Sequence, residues 1–166
     1  MKDLILSICI PTYKPTLQLV RNIEVICSDL DKLGTNYEII ISVNSGDEDG
    51  LFNSITNGCV KIFYNKYNIG FSRNLFVSML NASGTYLLLL GDDDIPTTGT
   101  LQKVLNYLIK KKDDTLLFIP LSDYQENTPS SYRKKLTWVY MRSGSMMGIV
   151  FVRRKINWDD FLLDHS

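Results

Sequence analysis

The sequence predicts an α/β protein whose open, mostly parallel central sheet is covered by helices on both faces. Short apolar segments of strand length alternate with longer segments in which apolar residues recur at three- and four-residue spacing. The strand-like segments are apolar on both faces, as in parallel strands that lie between two layers of helices. Three of them run directly into polar residues, which is typical of strands that end at a ligand-binding edge. Together these observations favour a doubly wound sheet.

The first half of the chain contains three units of strand and helix. Strands are predicted at residues 4–10, 37–43 and 60–64, and helices at 16–33, just after 47, and at 71–80. Pro11 is expected to end the first strand because proline has no N–H for a sheet hydrogen bond. Gly34 follows the first helix as a C-terminal stop, and residues 44–47 are predicted to form a turn and a helix cap.

The second half begins with the most apolar strand, residues 86–90, which runs into Gly91 and three consecutive aspartates. A helix is predicted to follow at about residues 100–111. Further strands are predicted at 116–121, 138–141 and 148–152, and the opening of a helix at 155–165. Residues 122–135 are polar and contain Pro129, so we expect a loop there with the character of a mobile lid.

Composition indicates one globular domain, which we place at residues 1–166. Of the 166 residues, 45% are hydrophobic and 22% are charged, as in ordinary globular proteins with a single buried core. Lys and Arg number 18, as do Asp and Glu, so the formal net charge is zero. No overall field would hold the protein on nucleic acid, and we expect no nucleic-acid partner. Basic clusters at 110–112, 133–135 and 153–155 are interpreted as solvated helix ends and loops, with a peripheral membrane-facing surface as the alternative.

The cysteines and the amino-terminal segment indicate the compartment. Cys9, Cys27 and Cys59 lie in apolar runs at wide spacing, without the paired motifs of zinc sites or the even number expected of disulfides. We interpret them as buried thiols in a reducing compartment. The first apolar stretch is too short for a signal peptide, and no segment approaches the ~20 apolar residues of a transmembrane helix. The protein is therefore expected in the cytoplasm, and contact with the inner face of the membrane would be peripheral.

Three predicted strands end in polar signatures. Residues 11–13 (Pro-Thr-Tyr) follow the first strand, residues 44–47 (Asn-Ser-Gly-Asp) follow the second, and residues 92–94 (Asp-Asp-Asp) follow the fourth. The carboxyl ends of parallel strands share one edge, so these residues are expected around one crevice. An aromatic ring, hydrogen-bonding side chains and three carboxylates suit a nucleotide that is bound together with a divalent cation.

The three aspartates favour a metal site. Adjacent carboxylates repel each other and lose part of their hydration at the end of a buried strand, and a bound cation would offset this cost. Mg²⁺ or Mn²⁺ takes oxygen ligands, and one or two carboxylates with diphosphate oxygens would fill most of an octahedral shell. The alternative is that Asp92, Asp93 and Asp94 only turn the chain and cap the next helix.

Arg73 lies near the start of the third predicted helix, in residues 68–74 (Asn-Ile-Gly-Phe-Ser-Arg-Asn). Backbone amides without helical partners and a guanidinium group meet at such a position, and together they favour a diphosphate. The alternative is an exposed arginine that pairs with a nearby acidic residue.

Together these segments resemble glycosyltransferase family 2. The family shows a strand ending in P-T-Y/F-N, a V-D-D-G-S-x-D turn, an N-x-G-x-x-x-A-R-N-x-G segment and an L-x-D-x-D-D element. The corresponding segments here are residues 7–13 (SICIPTY), 43–50 (VNSGDEDG), 68–74 (NIGFSRN) and 89–94 (LLGDDD). Their order and spacing agree with the family over residues 4 to about 105. The last segment is similar to the branch that makes bacterial surface polysaccharides.

The resemblance implies the Rossmann-like GT-A fold and a nucleotide-diphospho-sugar donor. The implied nucleotide-sugar-binding residues are Pro11, Thr12, Tyr13, Asn44, Ser45, Arg73, Asn74 and Asp92. The first three would flank the nucleobase, Asn44 and Ser45 would stand where the family's paired aspartates meet the base, and Arg73 would approach the diphosphate. Asp92 and Asp93 are the implied catalytic residues that hold ribose and metal. Asp93 and Asp94 are the implied ligands of Mg²⁺ or Mn²⁺, and an alternative register makes Asp92 and Asp94 the outer aspartates of a D-x-D element.

The resemblance also implies a reaction. Family 2 enzymes transfer a sugar to a glycan or lipid-linked acceptor, and the inverting members use a carboxylate as general base. That base lies beyond the region corresponding to residues 158–161 (WDDF), so we expect a chain truncated at its carboxyl terminus with an incomplete acceptor region. No late carboxylate matches the family's base motif, and Asp159 and Asp160 stay as candidates for the base.

Other functions stay open beside this one. Asn44 and Ser45 are uncharged where the family has aspartates, so the donor nucleotide need not be the family's common UDP. The first alternative is a domain that binds nucleotide-sugar without catalysis, alone or as a subunit of a complex. The second is a nucleotidyltransferase, which usually has a glycine-rich basic loop after its first strand. Residues 11–15 (PTYKP) contain no glycine.

Overall fold

The chain was described from a computed structural model that covers residues 4–34, 36–96, 99–110, 117–118 and 149–152. The strands are β1 (Leu6–Thr12), β2 (Tyr37–Val43), β3 (Val60–Tyr64), β4 (Tyr86–Leu89), β5 (Leu117–Phe118) and β6 (Ile149–Val152). The α-helices are α1 (Leu17–Asp31), α2 (Phe71–Leu80) and α3 (Thr100–Lys110). A short 3₁₀ helix lies at Leu51–Ser54, where the sequence predicted the second helix.

In the described ranges the strands form one sheet in the order β3-β2-β1-β4-β6-β5. β1 to β4 run parallel to one another, whereas β6 is antiparallel to both of its neighbours, β4 and β5. The parallel part confirms the predicted open, mostly parallel sheet. β6 lies between β4 and β5 although β5 precedes it in the chain.

The strands present two apolar faces, and helices cover both of them. Leu6, Ile8 and Ile10 of β1 belong to a large core that also contains buried residues of α1 and α3. Cys9 points to the opposite face, where a smaller core includes Met79 of α2. Successive strand residues point to opposite faces, so this two-sided burial explains why the strands are apolar throughout. Each fully buried aliphatic side chain stabilises the fold by about 2 kcal/mol. The predicted helices on both faces are confirmed.

Helix α1 has the start and stop that its sequence predicts. The Thr16 side chain caps the helix, because its Oγ1 accepts a hydrogen bond from the Leu19 N–H at 3.1 Å. Gly34 follows the helix with a φ of 58°, a left-handed conformation that glycine adopts without steric cost. The amphipathic pattern of the sequence therefore defines both the face and the length of this helix.

Strand β1 extends two residues beyond its predicted end, so the prediction that Pro11 ends the strand was wrong. Cys9 accepts a hydrogen bond from the Leu90 N–H on the β4 side, and Pro11, two residues later, faces the same side. The ladder between β1 and β4 ends at the pair of Cys9 and Leu89. The missing N–H of Pro11 therefore removes no sheet hydrogen bond, while β2 still pairs with Thr12.

The cysteines are free thiols, as the sequence indicates. Cys9 and Cys27 are buried and Cys59 is half-buried. Burial raises the pKa of the Cys9 thiol, and the Glu38 carboxylate adds to this effect. Cys9 is therefore protonated and serves as a small apolar residue of the core.

Of the elements predicted after residue 111, some are described and others are not. Strands β5 and β6 overlap the strands predicted at 116–121 and 148–152. The predicted strand at 138–141, the loop at 122–135 and the helix at 155–165 lie outside the described residues. In the part of the chain that is described, no helix combines the length and the apolar character needed to cross a membrane.

Candidate functional site

The carboxyl ends of β1, β2 and β4 meet at one edge of the sheet. Thr12 at the end of β1 pairs with Val43 at the end of β2, and Cys9 pairs with Leu89 of β4. Residues that follow these strands, including the segment 92–94, therefore lie at a common edge. The structure thus brings together the strand ends that the sequence placed around one crevice.

A hydrogen bond joins the ends of β1 and β4. The Thr12 hydroxyl donates to Asp92 Oδ2 at 2.7 Å, and Thr12 itself is only 2% exposed. The same hydroxyl oxygen lies 2.9 Å from the carbonyl oxygen of Lys14. Asp92 is half-buried, and this bond fixes the direction of its carboxylate.

Asp93 and Asp94 fold back towards the Cα of Gly91. A Cβ added to Gly91 would lie 2.7 Å from Asp94 Oδ2 and 3.1 Å from Asp93 Oδ1. The two oxygens are therefore on the same side of the backbone and no farther apart than the sum of these distances. The Gly91 N–H also donates to Asp94 Oδ2 at 3.2 Å. Any side chain at residue 91 would displace these carboxylates, which gives Gly91 a role that the sequence pattern did not reveal.

The grouping of the carboxylates has an electrostatic cost. Burial raises the pKa of the Asp94 carboxyl above its ordinary value, and the hydrogen bond from Gly91 opposes that effect. The charges of Asp93 and Asp92 raise the pKa of Asp94 further. A cation beside these side chains would reverse the repulsion, because it favours the charged form of each carboxylate.

Two of these carboxylates fit a hard divalent cation. The nearest oxygens of Asp93 and Asp94 both approach the Cα of Gly91, and carboxylate oxygens are the ligands that Mg²⁺ and Mn²⁺ prefer. In the described ranges, no group of three His, Cys, Asp or Glu side chains is placed to hold a metal ion. The protein would therefore provide a pair of ligands, and diphosphate and water oxygens would complete the shell.

A network of three asparagine side chains links the strand ends to helix α2. Asn74 of α2 donates through Nδ2 to the carbonyl oxygens of Thr12 and Ser42, both at 2.9 Å. Asn65, directly after β3, donates to Asn74 Oδ1 at 2.8 Å and to Asn44 Oδ1 at 3.1 Å. The network joins β1, β2 and β3 beside the crevice. Sequence reasoning missed Asn65, although a polar residue directly after a strand was the available signal.

Asn44 and Asn74 use their side chains inside the protein. Asn44 is 5% exposed, its Nδ2 donates to the Gly70 carbonyl at 3.2 Å, and its Oδ1 accepts from the Ile69 N–H at 3.4 Å. Asn74 is 2% exposed. These amides hold the chain between β3 and α2 in place, and their predicted contact with a nucleotide stays a prediction.

Tyr13, Ser45 and Arg73 are better placed to meet a ligand. Tyr13 is 60% exposed just beyond the buried pair of Pro11 and Thr12. Ser45 is half-buried, and its hydroxyl donates to the carbonyl of Gly46 at 3.3 Å. Arg73 is exposed in the first turn of α2, where a helix has N–H groups without intrahelical partners.

Three further aromatic rings are exposed near this edge. Tyr64 is 51% exposed at the end of β3, Tyr67 is 69% exposed after it, and Phe71 is 57% exposed at the start of α2. Exposed aromatic rings are candidates for stacking on a ligand. Sequence reasoning did not identify these three, because aromatic residues beside a strand are more often part of the core.

A groove of about 460 Å³ lies elsewhere on the surface, between the second half of α1 and the chain that leads into β3. Ile23, Asp31, Ser54 and Asn57 are among its lining residues. Because residues 54–57 precede β3, this groove belongs to the amino-terminal side of the strands. It contains none of the site residues that the sequence predicted.

Comparison with known proteins decides the family. A family model described as "Glycosyl transferase family 2" matches residues 7–160, which is nearly the whole chain. The chain belongs to glycosyl transferase family 2. An uncharacterized glycosyltransferase of Haemophilus influenzae is 30% identical over 99 residues, which cover 57% of this chain and 30% of that protein.

Solved structures share the GT-A fold of this family 2 chain. S. aureus TarS 1-349 in complex with UDP-GlcNAc has a TM-score of 0.61 at 18% identity, covering 94% of this chain and 47% of that one. The mannosyltransferase PcManGT from Pyrobaculum calidifontis, in complex with GDP-Man and Mn²⁺, has a TM-score of 0.59 at 13% identity, covering 93% and 46%. This chain therefore spans less than half the length of these three relatives.

Some features that the family resemblance implied are untested by the described structure. Asn44 and Ser45 stand at the end of β2 in place of the family's paired aspartates, and both are uncharged. The candidates for the general base, Asp159 and Asp160, lie outside the described residues. Asp92, Asp93, Asp94 and Arg73 lie within the described residues of this family 2 chain.

Proposed function

We propose that this chain is the donor-binding part of a glycosyltransferase of the hexosyltransferase type. The enzyme transfers a sugar from a nucleotide-diphospho-sugar to a glycan or lipid-linked acceptor in surface polysaccharide synthesis. Transfer is inverting and depends on Mg²⁺ or Mn²⁺, and it takes place in the cytoplasm or at the inner face of the membrane. No nucleic acid takes part.

One observation supports the proposal above the others: Asp92, Asp93 and Asp94 are grouped at the sheet edge that also presents Tyr13 and Arg73. A diphosphate needs positive charge and N–H donors, and a nucleoside needs a ring face and hydroxyl partners. These requirements are met by residues of different strand ends. The arrangement suits one nucleoside diphosphate better than it suits a structural turn.

Each residue at this edge has a role in binding the donor. The Tyr13 ring stacks on the nucleobase, and the Ser45 hydroxyl hydrogen-bonds to its edge without the charge of an aspartate. The Arg73 guanidinium and the first turn of α2 bind the diphosphate. Asp92 accepts hydrogen bonds from the ribose hydroxyls through the carboxylate oxygen that Thr12 leaves free.

Asp93 and Asp94 would hold the divalent cation. When bound, that cation neutralises charge that develops on the diphosphate leaving group. The protein's own contribution would be the close approach of both carboxylates to the Cα of Gly91, which supports a shared role for the pair. A carboxylate base then deprotonates the acceptor hydroxyl, and Asp159 and Asp160 are the candidates in this chain.

A second function is a domain that binds a nucleotide-sugar without catalysing transfer, alone or as a subunit of a complex. It is favoured because neither candidate for the general base, Asp159 or Asp160, matches the family's base motif. Calorimetric titration with UDP, GDP, ADP, CDP and dTDP, each with and without Mn²⁺, tests binding. A transfer assay with the corresponding sugar nucleotides then tests turnover. Binding without turnover indicates the binding domain, whereas failure of every nucleoside diphosphate contradicts both functions.

The metal ligands can be tested by one substitution. Asp93→Ala is expected to remove the Mn²⁺-dependent part of nucleotide binding, at least about tenfold in Kd, because it deletes one of two carboxylate ligands. The fold should stay intact, since Asp93 is exposed. Calorimetry measures the affinity, and circular dichroism measures the fold.

The matched control is Asp29→Ala. Asp29 lies in the second half of α1 and forms an ion pair with the exposed Lys32 at 3.5 Å, away from the strand ends, so its loss should leave nucleotide binding unchanged. Equal Mn²⁺-dependent affinity of Asp93→Ala and the unmodified chain would exclude Asp93 as a metal ligand.

A further inference from the structure

We infer that Thr12 is a positioning residue for Asp92 and does not itself contact the nucleotide through its side chain. The inference rests on the proposed function, in which Asp92 binds the donor. It changes the role that the family resemblance gave to Thr12, from flanking the base to orienting a carboxylate on the neighbouring strand.

The Thr12 hydroxyl is inaccessible to a ligand. Thr12 is 2% exposed, and its hydroxyl has two acceptors within hydrogen-bond distance, Asp92 Oδ2 at 2.7 Å and the Lys14 carbonyl oxygen at 2.9 Å. The carbonyl oxygen of Thr12 accepts hydrogen bonds from the Asn44 N–H at 3.0 Å and from Asn74 Nδ2 at 2.9 Å. The backbone of Thr12 is thus held in place, and of the two acceptors the charged carboxylate, at the shorter distance, is the stronger partner for the hydroxyl.

Asp92 needs such a partner because the sheet no longer holds it. The ladder between β1 and β4 ends at Leu89, and Leu90 makes the last backbone hydrogen bond to β1, with Cys9. Asp92 follows in a bend two residues later. The bond from Thr12 occupies Oδ2. In the described part of the chain no hydrogen bond to Asp92 Oδ1 is seen, and that oxygen is the one a ligand can use.

The hydrogen bond between Thr12 and Asp92 therefore holds the Asp92 carboxylate in one orientation. A hydrogen bond to a carboxylate is short and directional, so it selects one rotamer of Asp92 before the ligand binds. Without the hydroxyl, the Asp92 side chain can rotate into solvent. The ligand must then bring it back into one rotamer, and this entropic cost lowers the affinity. The effect of Thr12 on binding should vanish when Asp92 is absent.

A double-mutant cycle tests this dependence. Thr12→Val keeps the shape of the side chain and removes the hydroxyl, and Asp92→Ala removes the carboxylate. With the nucleoside diphosphate that binds best in the titrations above, plus Mn²⁺, we expect Thr12→Val to weaken binding about tenfold. In the Asp92→Ala background the same change should cost less than about twofold. Thr12→Ser restores the hydroxyl and should recover most of the affinity.

The controls separate this inference from general damage and from failure of the proposed function. Thr56→Val makes the same chemical change at an exposed threonine on the opposite side of the strands, and should not alter binding. If Thr12→Val does not fold, Thr12→Ala removes the same hydroxyl and takes its place in the cycle. Equal losses of nucleotide affinity from Thr12→Val in both backgrounds, or no loss in either, contradict the positioning role of Thr12 and leave the proposed function standing. Unchanged binding by Asp92→Ala contradicts the role of Asp92 in the proposed function as well.

Discussion

Glu38 is a charged residue inside the sheet, and its partners explain how a buried carboxylate is tolerated. It is 2% exposed in β2 and accepts hydrogen bonds from the Ser7 hydroxyl at 2.6 Å and from the Ser83 N–H and hydroxyl at 2.6 and 2.8 Å. Lys61 Nζ lies 2.7 Å away. Burial acts to raise the pKa of Glu38, but these hydrogen bonds outweigh it and hold the pKa below its ordinary value.

We predict that Glu38→Gln lowers the free energy of unfolding by about 3 kcal/mol at neutral pH, because it leaves the surrounding donors with a neutral partner. The carboxylate's contribution is fully present above its unfolded pKa, near 4.5, and is lost as the pH falls through the lower folded value. The difference between the two proteins should therefore shrink as the pH falls from about 6 to about 3. Urea unfolding at several pH values measures it.

The control for this prediction is Glu48→Gln, which changes an exposed glutamate and should shift the free energy of unfolding by less than about 0.5 kcal/mol. A difference between Glu38→Gln and the unmodified chain that stays constant down to the lowest pH would contradict the charged state assigned to Glu38.

The site residues were predictable from the sequence as positions but not as contacts. Asp92 to Asp94 follow a buried strand, and that pattern correctly placed them at a strand end. The bond from Thr12 to Asp92 joins residues 80 positions apart, and it depends on the register of β1 against β4. The inward direction of Asn44 likewise depends on the 65–70 segment, so a sequence motif alone could not distinguish it from a residue that faces the base.

At the scale of secondary structure elements, α2 is attached to the sheet by more than apolar packing. Asn74 is in its first turn, and its Nδ2 satisfies the carbonyl oxygens of Thr12 and Ser42 at two adjacent strand ends. Arg73, the residue before Asn74 in the same turn, is exposed. The same turn therefore fixes the helix and presents the guanidinium, which couples the placement of Arg73 to the sheet.

This attachment can be tested with Asn74→Asp. The substitution replaces the donating amide with a carboxylate beside two carbonyl oxygens, so we expect the free energy of unfolding to fall by about 3 kcal/mol. Asn81→Asp makes the same change at the exposed end of α2, where the side chain donates to the Val77 carbonyl of the same helix, and should cost about 1 kcal/mol or less. Denaturant unfolding of both variants gives the comparison, and equal losses would show that the buried asparagine has no special role.

The elements themselves were largely predictable. The bounds of β2, β3 and α2 coincide with the predicted segments. At the ends of these segments the apolar run stops at the same place where polar or glycine residues begin. The end of β1 was mispredicted, since whether Pro11 can continue a strand depends on where its neighbour β4 stops. The end of the pairing between β1 and β4 is a property of the folded sheet, and the sequence around Pro11 does not contain it.

At the scale of the whole molecule, the parallel order of β1 to β4 follows from the alternation of strands and helices, whereas the position of β6 does not. Its segment reads as a strand, but its insertion between β4 and β5 is a choice among non-local pairings. β6 pairs with β4 along its whole length, so the strand that leads into Asp92 has a neighbour on each side in the sheet. The fold thus places a fully paired strand under the most strongly charged part of the site.

A site that gathers carboxylates before its ligand arrives should make the empty protein less stable than the loaded one. We predict that Mn²⁺ with a nucleoside diphosphate at about 100 times its Kd raises the free energy of unfolding by about 2.7 kcal/mol, seen as a rise of several degrees in Tm. For Asp94→Asn we expect a more stable empty protein and a smaller stabilisation by Mn²⁺ with the nucleotide. The empty variant should gain roughly a degree or two in Tm, because a half-buried charge that Asp93 and Asp92 repel is removed, while the Mn²⁺-dependent shift is largely lost. A variant that keeps the full Mn²⁺ shift would show that Asp94 serves only to turn the chain, since a structural turn gains nothing from a bound cation.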